Sequence, residues 1–399
     1  MLVGIVGKPN VGKSTFFKAA SLADALIANY PFATIKPNSG VGFVKIDCAD
    51  KDFQKQCNPR MGYCVGGFRF LPVQLIDVAG LVPGAHEGLG MGNQFLDDLR
   101  QADVLVHVID VAGSTNEKGE TVALGSYDPA ADVTFLEVEL DMWYLGILTK
   151  GWEKFARTVV QEKVSINIAL AKQLSGLGVN EALMEDAVEK LALNPEKPQL
   201  WVDDDLLRLA KFLRSSTKPM VMACNKVDLP GARENFNRLC TQFPQYTFIA
   251  CSGDYELALK EANKAGLISY IPGSSSFDIL HPEKLNEKQI AALDDIQKTV
   301  LSAPGGTGVQ KVIDVAVLDV LKYMAIFPGG VTKLEDKDGN VLPDCFLMKS
   351  ESTALDFAYR LHTDLGKGFI CAKDVHTKRT VGRDHILHHR DVIEIVSGK

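Results

Sequence analysis

The segment Gly7-Lys8-Pro9-Asn10-Val11-Gly12-Lys13-Ser14 stands between an apolar run, Leu2 to Val6, and helix-compatible spacing from Lys13 to Leu26. It fits GxxxxGK[ST] in the setting that pattern needs, after a buried strand and at a helix start. Glycines there let the backbone wrap phosphate oxygens, the amide groups and helix N-terminus supply positive potential, and Lys13 adds a point charge at the β- and γ-phosphates. The Ser14 hydroxyl is placed for Mg²⁺. Pro9, Asn10, Val11 and Thr15 complete the loop. By itself this segment specifies a nucleoside triphosphate and leaves the base open.

Working outward, Val73 to Val78, Val104 to Val111 and Pro219 to Cys224 are further apolar, β-branched runs, each ending in a polar or glycine turn. Buried parallel strands read this way. Alternating with helical segments, they predict an α/β fold of the P-loop NTPase type, a doubly wound sheet with its ligand at the carboxyl ends of the strands.

Two of these strands end in motifs that choose the ligand. Asp77-Val78-Ala79-Gly80 is DxxG, in which Asp77 orients the magnesium shell and the Gly80 amide meets the γ-phosphate. Asn225-Lys226-Val227-Asp228 is NKxD. Guanine offers its N1–H and exocyclic amine to one carboxylate, so Asp228 suits guanine, whereas adenine would turn a lone pair on it. Asn225 and Lys226 hold the loops and cover the base plane. Cys251-Ser252-Gly253, after the apolar run Tyr246 to Ala250, fits the backbone loop beneath the base, which makes Ser252 and Gly253 nucleotide-binding candidates. A kinase of the same loop class has no need for both DxxG and NKxD.

Asp77 and Asn225 stand 148 positions apart, where two βαβ steps need only about 60. The surplus falls on Asp132 to Asn194, whose periodicity is helical. The predicted organisation is a nucleotide domain over 1–325, interrupted by a helical insertion over 130–200, and a small α+β module over 326–399. That module is read from short β runs at Val341 to Leu342, Phe369 to Ala372 and Val392 to Val396 around a helix from Leu355 to Asp364. Gly305-Gly306-Thr307-Gly308 reads as a flexible loop.

Composition bounds the rest. The 399 residues are 46% hydrophobic and 23% charged, with net charge −7, and no run approaches the roughly 20 apolar residues of a membrane span. Without a secretory leader pattern, the expectation is a cytoplasmic monomer. The eight cysteines form no CxxC pair and are expected to be reduced. Cys57 and Cys64 are the closest pair, with no second pair or histidine nearby in sequence, so no zinc site is expected. Five of the eight histidines (His362, His376, His385, His388, His389) fall in the last 40 residues with Lys373, Lys378, Arg379, Arg383 and Arg390. Such a cluster suits RNA phosphates, or forms a solvated face balanced by Asp374, Asp384 and Asp391.

Three stretches carry a family resemblance: GKPNVGKST at Gly7 to Thr15, ANYPFATIKPNSG at Ala28 to Gly40 and DVAGLVPGAHEGLGMGNQFLDDLRQAD at Asp77 to Asp103. They resemble the Obg-related translation-factor GTPases, in particular the YchF-type branch, which carries a helical insertion. LDFAYRLHTDLGKGF at Leu355 to Phe369, with DVIEI at Asp391 to Ile395, is similar to the TGS module that ends those proteins. The resemblance covers nearly the whole chain. It implies that Thr34 is the switch-I threonine closing on Mg²⁺, that the protein hydrolyses GTP to GDP as a switch, and that the TGS and helical regions meet the ribosome or RNA. A nucleotide-gated binding module with little hydrolysis is the second class of function.

The chain departs from that branch in two places. The best-known YchF-type proteins lack NKxD and accept ATP, whereas NKxD is intact here, so ATP preference is not carried over. They also bear a histidine in the loop after the fourth strand, and Gly113 to Tyr127 holds none. Leu81, a hydrophobic residue at the position of the water-orienting glutamine of many switch GTPases, is a mark of the wider group, so another group must orient the attacking water. His86, the sole histidine of the switch-II stretch, is a candidate proton shuttle beside its reading as a solvated loop residue. Asn10 lies in a loop similar to the PNxGKS loop of potassium-activated GTPases, which marks it as a K⁺ ligand.

Overall fold

The structure is a computed structural model that describes residues 1–21, 38–78, 99–302 and 306–398. Two compact units emerge, Met1–Phe17 with Ile76–Asp254, and Lys18–Leu75 with Tyr255–Lys399.

In chain order, β1 (Leu2–Val6) leads into helix α1 (Lys13–Ser21), followed by β2 (Ser39–Asp47), β3 (Tyr63–Val65), β4 (Phe68–Asp77) and β5 (Val104–Asp110). Five helices come next: α2 (Ala130–Thr149), α3 (Trp152–Gln161), α4 (Ile166–Gln173), α5 (Glu181–Lys190) and α6 (Asp203–Thr217). Then come β6 (Met220–Asn225), α7 (Ala232–Gln242), β7 (Thr247–Ala250) and α8 (Gly253–Lys264).

The first unit is built on parallel strands. β1 pairs with β5, β5 with β6 and β6 with β7, all parallel, and Val78 N–H donates to the Ile5 carbonyl at the end of β4. Strands β5 and β6 are buried along their whole length, as the unbroken runs of β-branched and aliphatic residues require when both faces are covered. Helices cover them. Val133, Leu136, Leu140 and Tyr144 of α2 and Leu206, Leu209 and Leu213 of α6 join Leu105, Ile109, Met222 and Cys224 in one core. The helical insertion therefore shares its core with the sheet. The single long periodicity from Asp132 to Leu174 becomes three helices, because Gly151 and Lys163 take positive φ and turn the chain. Arg214 of α6 ties the insertion inward, with Nε 2.7 Å from Asp141 Oδ1.

In the second unit β4 pairs antiparallel with β3. Strand β2 has no counterpart in the apolar runs singled out above, since glycines and lysine interrupt its pattern. Beyond it lie β8 (Ile268–Ser269), β9 (Asp278–Ile279), α9 (Glu287–Ile296) and α10 (Val309–Asp314), each of the last two continued by a turn of π-helix. The C-terminal module comprises β10 (Tyr323–Pro328), β11 (Phe346–Lys349), α11 (Ala354–Leu361), α12 (Thr363–Lys367), β12 (Phe369–Asp374), β13 (Thr380–Val381) and β14 (Val392–Ser397), with sheet order β11-β10-β14-β12-β13. Phe357 of α11 packs with Ile326, Ala372 and Ile393, and Thr353 caps that helix in a capping box with Asp356.

Further local expectations differ from the structure: the helix expected from Leu355 to Asp364 is two, α11 and α12, broken at the extended His362. Val341 and Leu342 form no strand; Val341 makes one isolated bridge to Glu335, and its carbonyl accepts from Asn58 N–H instead. Within the expected flexible loop, Thr307 is fully buried and its hydroxyl bonds the buried Glu256, which Tyr270 also meets at 2.7 Å. Gly306-Thr307-Gly308 is thus a packed tie.

Candidate nucleotide site

β1 delivers the phosphate-binding loop and α1 closes it, with Phe16 N–H donating to the Gly12 carbonyl at 2.8 Å. Gly12 has φ +90°, and a Cβ there would lie 2.2 Å from Asn225 Nδ2. Glycine is required at this point both by the left-handed backbone and by the close approach of Asn225. Val11 is buried. Lys13, Ser14 and Asp77 converge: the Lys13 ammonium pairs with Asp77, and Ser14 Oγ lies 3.4 Å from Asp77 Oδ2. A hydroxyl and a carboxylate beside a loop of amides form a hard-oxygen donor set that suits Mg²⁺ with a triphosphate.

The base-side residues are joined to this loop through Asn225. Its Nδ2 donates to the Val11 carbonyl at 2.9 Å, and its Oδ1 accepts from Gly253 N–H at 2.9 Å. One buried amide thus spans the phosphate loop and the segment Cys251-Ser252-Gly253, where Ser252 is also buried. Asp228 follows at half-burial. Lys226, at φ +65°, sends Nζ to the Asn10 carbonyl at 3.1 Å, to Ser114 Oγ at 3.0 Å and to Asp110 Oδ2 at 2.9 Å. Asn10 is itself left-handed, at φ +63°, and its Nδ2 donates to the Gly119 carbonyl at 2.8 Å. Thr34, Gly80 and His86 lie outside the described residues, as does Leu81.

Sequence reasoning missed three residues here. Asp110 ends β5 fully buried and gathers Ser114 Oγ at 2.6 Å, Thr115 Oγ1 at 3.0 Å and Ala112 N–H at 3.1 Å besides Lys226. Its signal was a carboxylate at the carboxyl end of a central strand, where α/β ligand sites form. Lys8 and Asp132 are the other two. Lys8 Nζ sits 2.9 Å from both Asp132 oxygens, 2.8 Å from the Thr115 carbonyl and 3.8 Å from the centroid of the Tyr127 ring. Burial raises the Asp132 carboxyl above its ordinary range despite this partner, and burial together with the Lys8 charge pushes His107 down to about 3.

Part of the basic C-terminal cluster is engaged inside the second unit. Arg390 Nη2 lies 2.7 Å from Asp52 Oδ2 and His376 Nε2 3.2 Å from the same oxygen. Lys378, Arg379, Arg383 and His388 are exposed.

Residues 2–134 match the family model described as a 50S ribosome-binding GTPase, residues 223–330 that of an Obg-like GTPase, YGR210-like, G4 motif-containing domain, and residues 335–397 that of the TGS domain. The chain is 49% identical to a GTP-binding protein of Methanocaldococcus jannaschii, covering 99% of each chain. It is 28% identical to the ribosome-binding ATPase YchF of Bacillus subtilis, covering 94% of this chain and 88% of that one. The crystal structure of a GTP-binding protein from Pyrococcus horikoshii superposes with a TM-score of 0.80 at 39% identity, covering 100% of both chains. That of the Schizosaccharomyces pombe YchF GTPase superposes at 0.59 and 20% identity, covering 99% of this chain and 97% of that one. No helix among the described residues is long and apolar enough to cross a membrane. These family matches, with 38% identity to the ribosome-binding ATPase YchF of Buchnera aphidicola over 93% of this chain and 87% of that one, place the chain in the YchF-type branch of the Obg-related GTPases, as a GTP-binding protein.

Proposed function

We propose that the protein hydrolyses GTP to GDP and phosphate as a slow, nucleotide-dependent switch linked to the ribosome, and that guanine is preferred over adenine. The observation that carries the reading is the double hydrogen bond of Asn225, which couples the base-side segment to the phosphate loop. In this reading Ser14, Asp77 and Thr34 hold Mg²⁺, Lys13 and the Gly80 amide meet the γ-phosphate, and Asp228 reads guanine while Ser252 and Gly253 line its floor. Bound Mg²⁺ neutralises charge on the β- and γ-oxygens. The domain division 1–325 with the insertion 130–200, and 326–399, is retained as the working organisation, supported by matches at 2–134, 223–330 and 335–397.

The test is a titration of GTP, ATP and GDP against wild type and Asp228→Asn. A site built on hydrogen bonds to the base discriminates by roughly 10⁴-fold, and the variant should lose most of that ratio. Equal wild-type affinity for ATP and GTP overturns the guanine reading and returns the chain to the nucleotide preference that the Bacillus relative's name carries. Catalysis is tested by two further comparisons. Asn10 as a K⁺ ligand requires faster turnover in KCl than in NaCl, and His86 as a proton shuttle requires turnover to fall in His86→Ala.

A second reading, a nucleotide-gated RNA- or ribosome-binding module, is favoured by the exposed Lys378, Arg379 and Arg383 on the TGS module. Charge reversal at these three should abolish salt-sensitive co-sedimentation with ribosomes. Undiminished binding removes the module from the contact.

A further inference from the structure

Between β2 and β3 the chain makes a loop whose side chains do not serve the nucleotide site. Cys48 follows β2, Asp50 lies in a short 3-10 turn, Cys57 lies in irregular chain and Cys64 belongs to β3. The structure brings them together: three thiol sulfurs and a carboxylate oxygen fall within 4.8 Å of one another. Cys48, Asp50 and Cys57 are buried, at 0%, 2% and 3% exposure. The expectation of no zinc site rested on the absence of a second cysteine pair beside Cys57 and Cys64, and here folding supplies Cys48 and Asp50.

We infer that Cys48, Asp50, Cys57 and Cys64 form a structural Zn²⁺ site. The spacing fits that ion. Zn–S bonds of about 2.3 Å in a tetrahedron set the sulfurs about 3.8 Å apart. The Cys48 and Cys57 sulfurs stand 3.5 Å apart, and Cys64 Sγ is 3.7 Å from Asp50 Oδ2. A disulfide, at about 2.05 Å, would need a far shorter approach. The polar accounting points the same way. Asp50 Oδ2 accepts from Cys57 N–H at 2.9 Å, while Asp50 Oδ1 is buried with no hydrogen-bond partner. A buried carboxylate oxygen left so is costly, and a cation within the cluster compensates it.

Thiolates select soft or borderline metals, and four protein ligands leave no open coordination position, so the site is structural. Three thiolates and one carboxylate outweigh the charge of Zn²⁺ by two. The fully buried Arg69 returns one positive charge, with Nη1 3.5 Å from Cys57 Sγ, in the manner of outer-shell donors that tune thiolate ligands. On binding, the three thiols release their protons to solvent as the Zn–S bonds form.

The ion's role follows from what the loop touches. Asn58 N–H and Arg60 N–H donate to the carbonyls of Val341 and Pro343 at 2.9 and 3.0 Å, and Arg69 donates to Leu342 and Pro343. Zn²⁺ holds the platform to which residues 341–343, within the TGS module, are bonded.

The test uses the full chain purified without chelator. Elemental analysis should find about one zinc per chain, Cys57→Ser and Cys64→Ser should fall to background, and Cys371→Ser, outside the cluster, should keep it. Should the variants fail to fold, Co²⁺ added to chelator-stripped wild type should give the intense thiolate-to-cobalt ultraviolet band and the visible bands of tetrahedral cobalt. Zinc content equal in wild type after Zn²⁺ loading and in Cys57→Ser, or cobalt spectra without the thiolate band, overturns the assignment.

Discussion

Lys226 Nζ and Asp110 Oδ2 meet at 2.9 Å, and the Asp110 side chain is wholly buried. The pair joins the ends of adjacent parallel strands, in which Asp110 stands in register with Asn225. Lys226 also reaches the Asn10 carbonyl. The NKxD lysine is therefore a strut between β5, β6 and the phosphate loop, anchored by a carboxylate outside the motifs.

Asp110→Asn removes the charge that holds this strut while keeping its size. Leaving the Lys226 ammonium short of its anion costs roughly 1–3 kcal/mol, which, if carried into binding, corresponds to about 5- to 150-fold in nucleotide affinity. GTP and GDP should weaken by similar factors, and the ratio of GTP to ATP should stay put, because the bonds of Asp110 run to Lys226, Ser114, Thr115 and Ala112. Fluorescence titration with labelled nucleotides checks both. Unchanged affinity would restrict the pair to stabilising the strands.

Asn225→Ala deletes the two bonds that span Val11 and Gly253, leaving a buried carbonyl and a buried N–H unpaired. A loss of roughly 1–3 kcal/mol for each unsatisfied group is expected, visible in urea denaturation of the nucleotide-free chain. That measurement separates structural bridging from contact with the ligand: an Asn225 that served only the nucleotide would leave nucleotide-free stability unaltered.

Much of this site was legible because its motifs are local. Loop, DxxG and NKxD each occupy a few consecutive residues after a buried run, and glycine, lysine and asparagine are dictated there by backbone geometry and ligand charge. Lys8, Asp132 and Asp110 were hidden for the opposite reason. Lys8 and Asp132 meet across 124 positions, and an ion pair between distant segments leaves no periodic trace. The zinc cluster lacks the short cysteine spacing of zinc ribbons, since a strand end, a 3-10 turn and an irregular loop bring its ligands together. The strand β2 escaped because Gly40, Gly42 and Lys45 interrupt its apolar pattern. The parallel core was plain because burial on both faces leaves continuous apolar runs.

Lys8→Met should be among the most damaging changes near the phosphate loop. It leaves the Asp132 carboxylate buried without its cation, which in comparable buried pairs costs roughly 3–5 kcal/mol. Adding Asp132→Leu removes the stranded charge, so the double variant should recover a large part of the loss. Urea midpoints of wild type, both single variants and the double variant give the coupling energy. Strictly additive losses would mean that Lys8 and Asp132 act independently.

Asp314 gives the second unit an expected pH dependence. Its Oδ1 accepts from Lys45 N–H at 2.7 Å and from Gln310 Nε2 at 2.8 Å, yet burial outweighs these bonds and pushes its carboxyl up to about 7. The folded chain then keeps a proton that the unfolded chain, near the ordinary 3.8, has released. This contribution is complete below about pH 4 and is lost as pH rises to about 7, a change of the order of a few kcal/mol. Asp314→Asn keeps the acceptor oxygen and does not titrate. The stability of the variant relative to wild type should therefore climb between pH 4 and 7 and level off above, measured as the difference in urea midpoints at each pH. A difference that stays flat across that interval would show the carboxylate to be ionised throughout, with Lys45 and Gln310 compensating its burial in full.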